Sequence, residues 1–241
     1  FAELWDSKTL DSGNVSDQTN LKAITKFLGN PKNLTVYEIA CGNGYLARKI
    51  KKAGAKEVYA SDASPTLIDK AHNKYNSLDI KYSVREASDF TKLPSGKFDA
   101  VIIHQGIFYI KDIPKLMKGI TKLLKPNGKF IFNITHPLFQ VFKGEIESMQ
   151  FTGKNSVVEK LKKYPTNYTQ EVHKKWLQAG KINTVNYISY SRPIEYYINQ
   201  CAQAGLLVEG IKETPSMTRN HKLKIVRSTI PSSMVIKAIK I

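Results

Sequence analysis

Val36-Tyr37-Glu38-Ile39-Ala40-Cys41-Gly42-Asn43-Gly44-Tyr45-Leu46-Ala47-Arg48-Lys49 is the stretch that decides the fold. It begins as a short β-branched and apolar run, passes through a turn holding Gly42 and Gly44, and continues with apolar residues at helical spacing. Strand, tight turn, helix is the reading. Glycine has no Cβ to collide with a ligand, so the backbone of such a turn can pass close to one, and the first N–H groups of the following helix point at the same place. Read as Gly42-x-Gly44-x-x-Ala47, the stretch also passes the relaxed dinucleotide fingerprint. Glu38 separates the two ligand classes that use this turn. An acid at the strand end meets a pyrophosphate with the wrong sign, whereas it suits a ligand carrying an ammonium or sulfonium group.

Outward from this turn the chain alternates strands and helices. Lys56–Asp62 reads as a second strand ending in an acid, and Asp62 stands 18 residues after Gly44, close to the spacing at which a carboxylate accepts both hydrogens of a ribose diol. Ser64 as cap and Pro65 at the first helical position start a helix through Thr66–Asn76. Ile80–Glu86 is a third strand, followed by Ala87-Ser88-Asp89-Phe90, and Lys97–His104 is a buried fourth. A helix over Ile113–Leu124 turns at Lys125–Lys129 into the strand Phe130–Thr135, which ends at His136-Pro137. From Phe142 to Ile182 the alternation stops, and it resumes with a strand at Thr184–Tyr190, a helix from Ser191-Arg192-Pro193 to Ala204 and a strand at Leu206–Lys212.

Glu38-x-Ala40-x-Gly42-x-Gly44 resembles motif I of the class I S-adenosylmethionine-dependent methyltransferases, with Ala40 where that family usually has its first glycine. Asp62–Ala71 resembles motif II, and Leu123-Leu124-Lys125-Pro126-Asn127-Gly128 resembles a further turn of the family. The resemblance implies an α/β fold, a Rossmann-like three-layer sandwich with a mostly parallel seven-stranded sheet. In that fold the final strand, here Ser233–Lys240, runs antiparallel at the sheet edge, and a lid is inserted after the fifth strand. It implies S-adenosyl-L-methionine as cofactor and S-adenosyl-L-homocysteine as product. Glu38 would organise the methionine end or its turn, Gly42 and Gly44 would admit it, and Asp62, beside Ala63, would bind the ribose. Asp89 and Phe90 would frame adenine with Ser88 lending backbone, while Ala40, Tyr45 and His104 would line the same cleft. The family's chemistry is in-line displacement at a sulfonium methyl, which requires alignment and dryness but no metal. Where the acceptor is a hydroxyl or thiol, His136 or His104 is the candidate general base, both standing at carboxyl ends of central strands.

The acceptor is less legible. His136-Pro137 and Tyr190-x-Arg192 resemble the small-molecule branch of the family, which makes Tyr109, Tyr190 and Arg192 candidate substrate contacts. His104-Gln105-Gly106-Ile107 is not the Asn/Asp-Pro-Pro-Tyr/Phe tetrapeptide of amino-group methylation. A net charge of +17 keeps an RNA or DNA methyltransferase as the alternative, although only 5 of the 37 basic residues are Arg, the residue best suited to bidentate phosphate recognition. A cofactor-binding module without turnover is a third reading, and an NAD-dependent oxidoreductase is disfavoured by Glu38.

The 241 residues fit a single domain, with lid helices over 1–30, where Trp5 and Gln18 are candidates for the active-site wall, and an insertion over 142–190. Cys41 and Cys201 make neither a disulfide framework nor a metal cluster. No apolar run approaches the ~20 residues of a membrane span, and the expectation is a cytoplasmic enzyme, monomeric or homodimeric.

Overall fold

Thr35–Ile39 forms β1, buried at every position, as a strand covered on both faces must be. The computed structural model describes residues 15–74, 78–136, 176–178, 181–183, 190, 192–218 and 226–241. Before β1 comes α1 (Val15–Leu28), and after it α2 (Tyr45–Lys52), β2 (Glu57–Asp62), α3 (Pro65–Lys74), β3 (Lys81–Val84) and β4 (Phe98–Ile103). A 3-10 turn at Ile107–Tyr109 leads to α4 (Ile113–Leu123) and β5 (Leu124–Thr135). Then follow the short strands β6 (Trp176–Gln178) and β7 (Lys181–Asn183), α5 (Ile194–Gln203), β8 (Leu206–Thr218) and β9 (Val226–Lys240).

Seven strands make one sheet in the order β3-β2-β1-β4-β5-β9-β8. From β3 to β5 all pairings are parallel, and β9 runs antiparallel to both β5 and β8. The Rossmann-like expectation therefore holds in class and strand count, with one correction. The last strand is not at the edge: β9 is inserted between β5 and β8, and β8 takes the outer position. Its longer span, to Thr218 instead of Lys212, follows from that pairing, since β9 continues back to Val226 opposite Thr218. Residues 184–189 of the strand expected at Thr184–Tyr190 and most of the insertion lie outside the described residues, as does Trp5. Among the described residues of that region β6 and β7 pair with each other.

Two apolar layers cover the sheet. Leu21, Ile24 and Leu28 of α1, Leu46 and Ile50 of α2 and Ile68 of α3 pack on Val36, Ile102, Ile131 and Val235. On the other face Leu116, Met117 and Ile120 of α4 and Tyr197 and Cys201 of α5 pack on Tyr37, Ile103, Phe130, Phe132 and Ile236. Local chemistry sets the helix starts. Asp112 caps α4 by accepting the Lys115 N–H at 2.9 Å, and Ser64 accepts the Leu67 N–H at 3.4 Å ahead of α3. Polar contacts also seat α1 over the carboxyl ends of the strands. Asn20 donates to Ser233 Oγ at 3.2 Å and accepts from Thr214 Oγ1 at 2.6 Å, all three residues being buried.

Candidate functional site

In parallel strands of one sheet, residues in register point to the same face and successive residues alternate. Glu38 of β1 is in register with Ile102 of β4 and Ile131 of β5. Asn133, two residues further along β5, faces the same way, while Ala40 and His104 are the first residues past the ends of β1 and β4. The candidates Glu38, Ala40 and His104 thus stand at the carboxyl edge of the sheet, where open α/β folds place ligands.

Several of these groups are buried beyond what their protein partners satisfy. Glu38, His104 and Asn133 are 2%, 7% and 0% exposed, and Glu38 Oε2, His104 Nε2 and Asn133 Nδ2 have no hydrogen-bond partner. Such groups in a native site call for an occupant. Burial pushes the Glu38 carboxyl up to about 8, against the pull of the Ala47 N–H and the Arg48 guanidinium. Burial likewise pushes the His104 imidazole down to about 4, so it is neutral at physiological pH.

The turn between β1 and α2 is built by left-handed residues: Ala40, Gly42 and Gly44 have φ of +55°, +55° and +74°. Asn43 Oδ1 accepts the Tyr45 N–H at 3.2 Å, and the buried Arg48 donates from Nη1 to the Asn43 carbonyl. Asp62 ties the turn to β2, accepting Gly42 N–H and Ser64 N–H at 2.9 Å each, one on each carboxylate oxygen. Each oxygen keeps a second lone pair, which is what a ribose diol needs. Ala63 beside it is exposed.

Ala40 occupies the family's glycine position in a glycine conformation. A Cβ on Gly106 would lie 2.7 Å from the Ala40 Cβ, so glycine has in effect moved across to the facing loop. Gly106→Ala should cost about 2 kcal/mol by overpacking, and Ala40→Gly in that background should recover most of it. Alone, Ala40→Gly should change stability by less than about 1 kcal/mol, because relief of left-handed strain opposes added backbone entropy. Chemical denaturation of the three variants checks this, and additive losses would refute it.

In the turn after β3, Asp89 Oδ1 accepts from Thr91 N and Oγ1 at 2.9 and 2.7 Å, and Oδ2 lies 3.5 Å from Arg85. The half-buried Phe90 ring rests against α4, where a Cβ on Gly119 would come within 2.0 Å of it. Ser88 is partly exposed, as is Tyr45, whose ring has Lys49 Nζ 5.1 Å from its centre. Gln18 is exposed on α1.

Among the residues expected to contact substrate, Tyr190 donates its N–H to Phe108 O at 2.7 Å. Arg192 Nη2 donates to Ile110 O and Lys111 O at 2.9 and 2.8 Å, and its guanidinium lies 4.7 Å from the Tyr190 ring centre. Tyr109 stands edge-on to Phe108 at 4.6 Å. His136, buried at the end of β5, has Nε2 3.2 Å from Glu213 Oε1 on β8. Sequence reasoning missed Arg48, Asn133 and Glu213. For Asn133 a signal was present, a lone amide in the apolar run Phe130–Ile134. Among the described residues no cluster could hold a metal ion, and no helix is long and apolar enough to cross a membrane.

Residues 37–132 match the Methyltransferase domain family. The chain is 27% identical over 161 residues to the ubiquinone biosynthesis O-methyltransferase of Coxiella burnetii, covering 64% of this chain and 66% of that one. It is 30% identical over 100 residues to the enzyme of that name from Xanthomonas oryzae pv. oryzae, covering 41% of each. The matches thus span less than two thirds of these relatives' lengths. An S-adenosylmethionine-dependent methyltransferase from Mesorhizobium loti superposes with a TM-score of 0.64 at 16% identity, over 92% of this chain and 98% of that one. Magnesium protoporphyrin IX methyltransferase from Synechocystis, with bound S-adenosylhomocysteine, superposes at 0.60 and 16% identity, over 94% and 84%. Residues 37–132 thus match a methyltransferase domain, and the chain shares the fold of these solved structures.

Proposed function

We propose that this chain transfers a methyl group from S-adenosyl-L-methionine to a nucleophilic atom of a small molecule. The observation that carries the reading is the group of unsatisfied buried atoms on Glu38 and His104, set beside an Asp62 whose carboxylate retains acceptor capacity toward a diol. These residues fit the cofactor: Glu38 and His104 at its methionine end, Asp62 at the ribose, Asp89 and Phe90 at adenine. The bound cofactor supplies a methyl already activated by the sulfonium charge. The protein then has to hold the acceptor in line and keep water out.

An oxygen acceptor is favoured by the relatives' names. For such an acceptor His136 is the proton acceptor. A carboxylate at its Nε2 fixes the orientation of the ring. His104, neutral through burial, is a weak base and serves as a hydrogen-bonding wall. Tyr109, Tyr190 and Arg192 form the acceptor wall, with Arg192 acting through the backbone it holds.

Calorimetric titration with S-adenosylmethionine, S-adenosylhomocysteine and NAD tests the cofactor. Micromolar binding of the first two is expected, falling about 100-fold in Asp62→Ala, which loses both the diol acceptor and the tether on Gly42. Binding of NAD alone would overturn the reading.

A further inference from the structure

The segment after β4 carries or anchors most of the acceptor wall. His104 leaves the strand, Tyr109 closes the 3-10 turn, and the carbonyls of Phe108, Ile110 and Lys111 receive Tyr190 and Arg192. Four proposed site residues therefore depend on the path of one backbone segment, 104–111. Its pivot is Gln105, with φ +56°. A non-glycine residue holds that conformation only where its surroundings impose it.

One restraint on it stands on β5. Asn133 Oδ1 accepts the Gln105 N–H at 2.7 Å, from a side chain that is 0% exposed. The neighbours of Asn133 in β5, Phe132 and Ile134, are apolar and buried, as is Val235 opposite it on β9. An apolar side chain would serve this strand at least as well, since Asn133 Nδ2 is buried with no partner. The amide is accounted for by what its oxygen does for the neighbouring loop.

We propose that Asn133 is a positioning residue for methyl transfer: its Oδ1 latches Gln105 in the left-handed turn and so fixes segment 104–111, on which the acceptor wall is mounted. The proposal deepens the methyltransferase reading and rests on it for its catalytic meaning, while the latch itself is a property of the free protein.

Two measurements on Asn133→Ala, Gln105→Gly and the double variant test it: amide hydrogen exchange over 105–111 without ligand, and calorimetric affinity for S-adenosylhomocysteine. Asn133→Ala should speed exchange over 105–111 about 10-fold while β2 and β3 keep their protection, as local opening requires. It should also weaken S-adenosylhomocysteine about 10-fold through the displaced His104. In the Gln105→Gly background, where glycine adopts positive φ without strain, Asn133→Ala should change either quantity less than about 3-fold, the non-additivity expected of residues acting as one unit. A purely structural asparagine would lower stability equally in both backgrounds and leave segment 104–111 as protected as the rest of the sheet, which overturns the proposal. Where Asn133→Ala does not fold, Asn133→Asp keeps the acceptor oxygen and should retain wild-type protection over 105–111; lost protection there refutes the latch. A wild-type protein that binds no S-adenosylhomocysteine sinks the methyltransferase reading, and the exchange data still decide the latch.

Discussion

Gly44→Ala should cost about 2–4 kcal/mol of folding stability, because it combines left-handed strain of about 1–2 kcal/mol with an overpacked contact of similar size. The residue has φ +74°, and an added Cβ would sit 2.4 Å from the Tyr82 hydroxyl and 2.7 and 2.8 Å from Tyr82 Cε1 and Cζ. The phenol has little freedom to retreat, since Tyr82 lies on β3, its ring 5.1 Å edge-on from His72 and packed against the layer that includes Leu46. In a domain of this size such a loss lowers the melting temperature by about 10 °C. Adding Tyr82→Ala should separate the two components: within that background Gly44→Ala should cost only the conformational part, about 1–2 kcal/mol. Thermal unfolding of the four proteins reads the outcome, and a Gly44→Ala protein melting within about 2 °C of wild type would refute the account of the turn.

Gly44 shows where the sequence spoke clearly and where it misled. Strand, turn and helix were readable because the period changes from two to 3.6 across residues 36–49, and because positive φ at a turn selects glycine. The reason given for the second glycine, room for a ligand, was incomplete: the atoms nearest its absent Cβ belong to Tyr82, which is 38 positions away. Asp62 was singled out by spacing, and its carboxylate does reach the turn after β1, accepting the Gly42 N–H. Other features depend on partners that no periodicity encodes. Asn133 takes its role from Gln105, 28 residues earlier. Gly119 in α4 is explained by the Phe90 ring, and Gly106 by Ala40 and Ile103. The place of β9 was misread for the same kind of reason: an apolar alternating strand satisfies the sheet at the edge or one position inside it, and the pairing with β8 decides between them.

Wild-type stability should fall by about 2 kcal/mol between pH 6.5 and 8, and Glu38→Gln should abolish that fall. Burial lifts the Glu38 carboxyl from 4.5 to about 8, so between those values the folded protein holds a proton that the unfolded chain has released. Raising the pH through that window favours unfolding. His104 acts in the opposite sense. Burial lowers its imidazole from 6.5 to about 4, so between those values the unfolded chain holds the extra proton and raising the pH favours folding. From 4.5 to 6.5 the two slopes oppose each other, and from 6.5 to 8 the Glu38 slope dominates; above 8 the buried Cys41 and Cys201 thiols, both pushed up by burial, add a smaller loss in the same sense. Melting temperatures taken every half unit from pH 5 to 8.5 should therefore be nearly level in wild type at first and then drop by about 4–8 °C. In Glu38→Gln the later drop should vanish and a rise from pH 5 to 6.5, the His104 contribution, should emerge. A ligand ammonium placed beside Glu38 would draw its proton off. S-adenosylhomocysteine binding below pH 8 should then release a proton, seen as a calorimetric enthalpy that changes with the ionisation enthalpy of the buffer. The same enthalpy in every buffer, or a release that persists in Glu38→Gln, would place the ligand's ammonium away from β1.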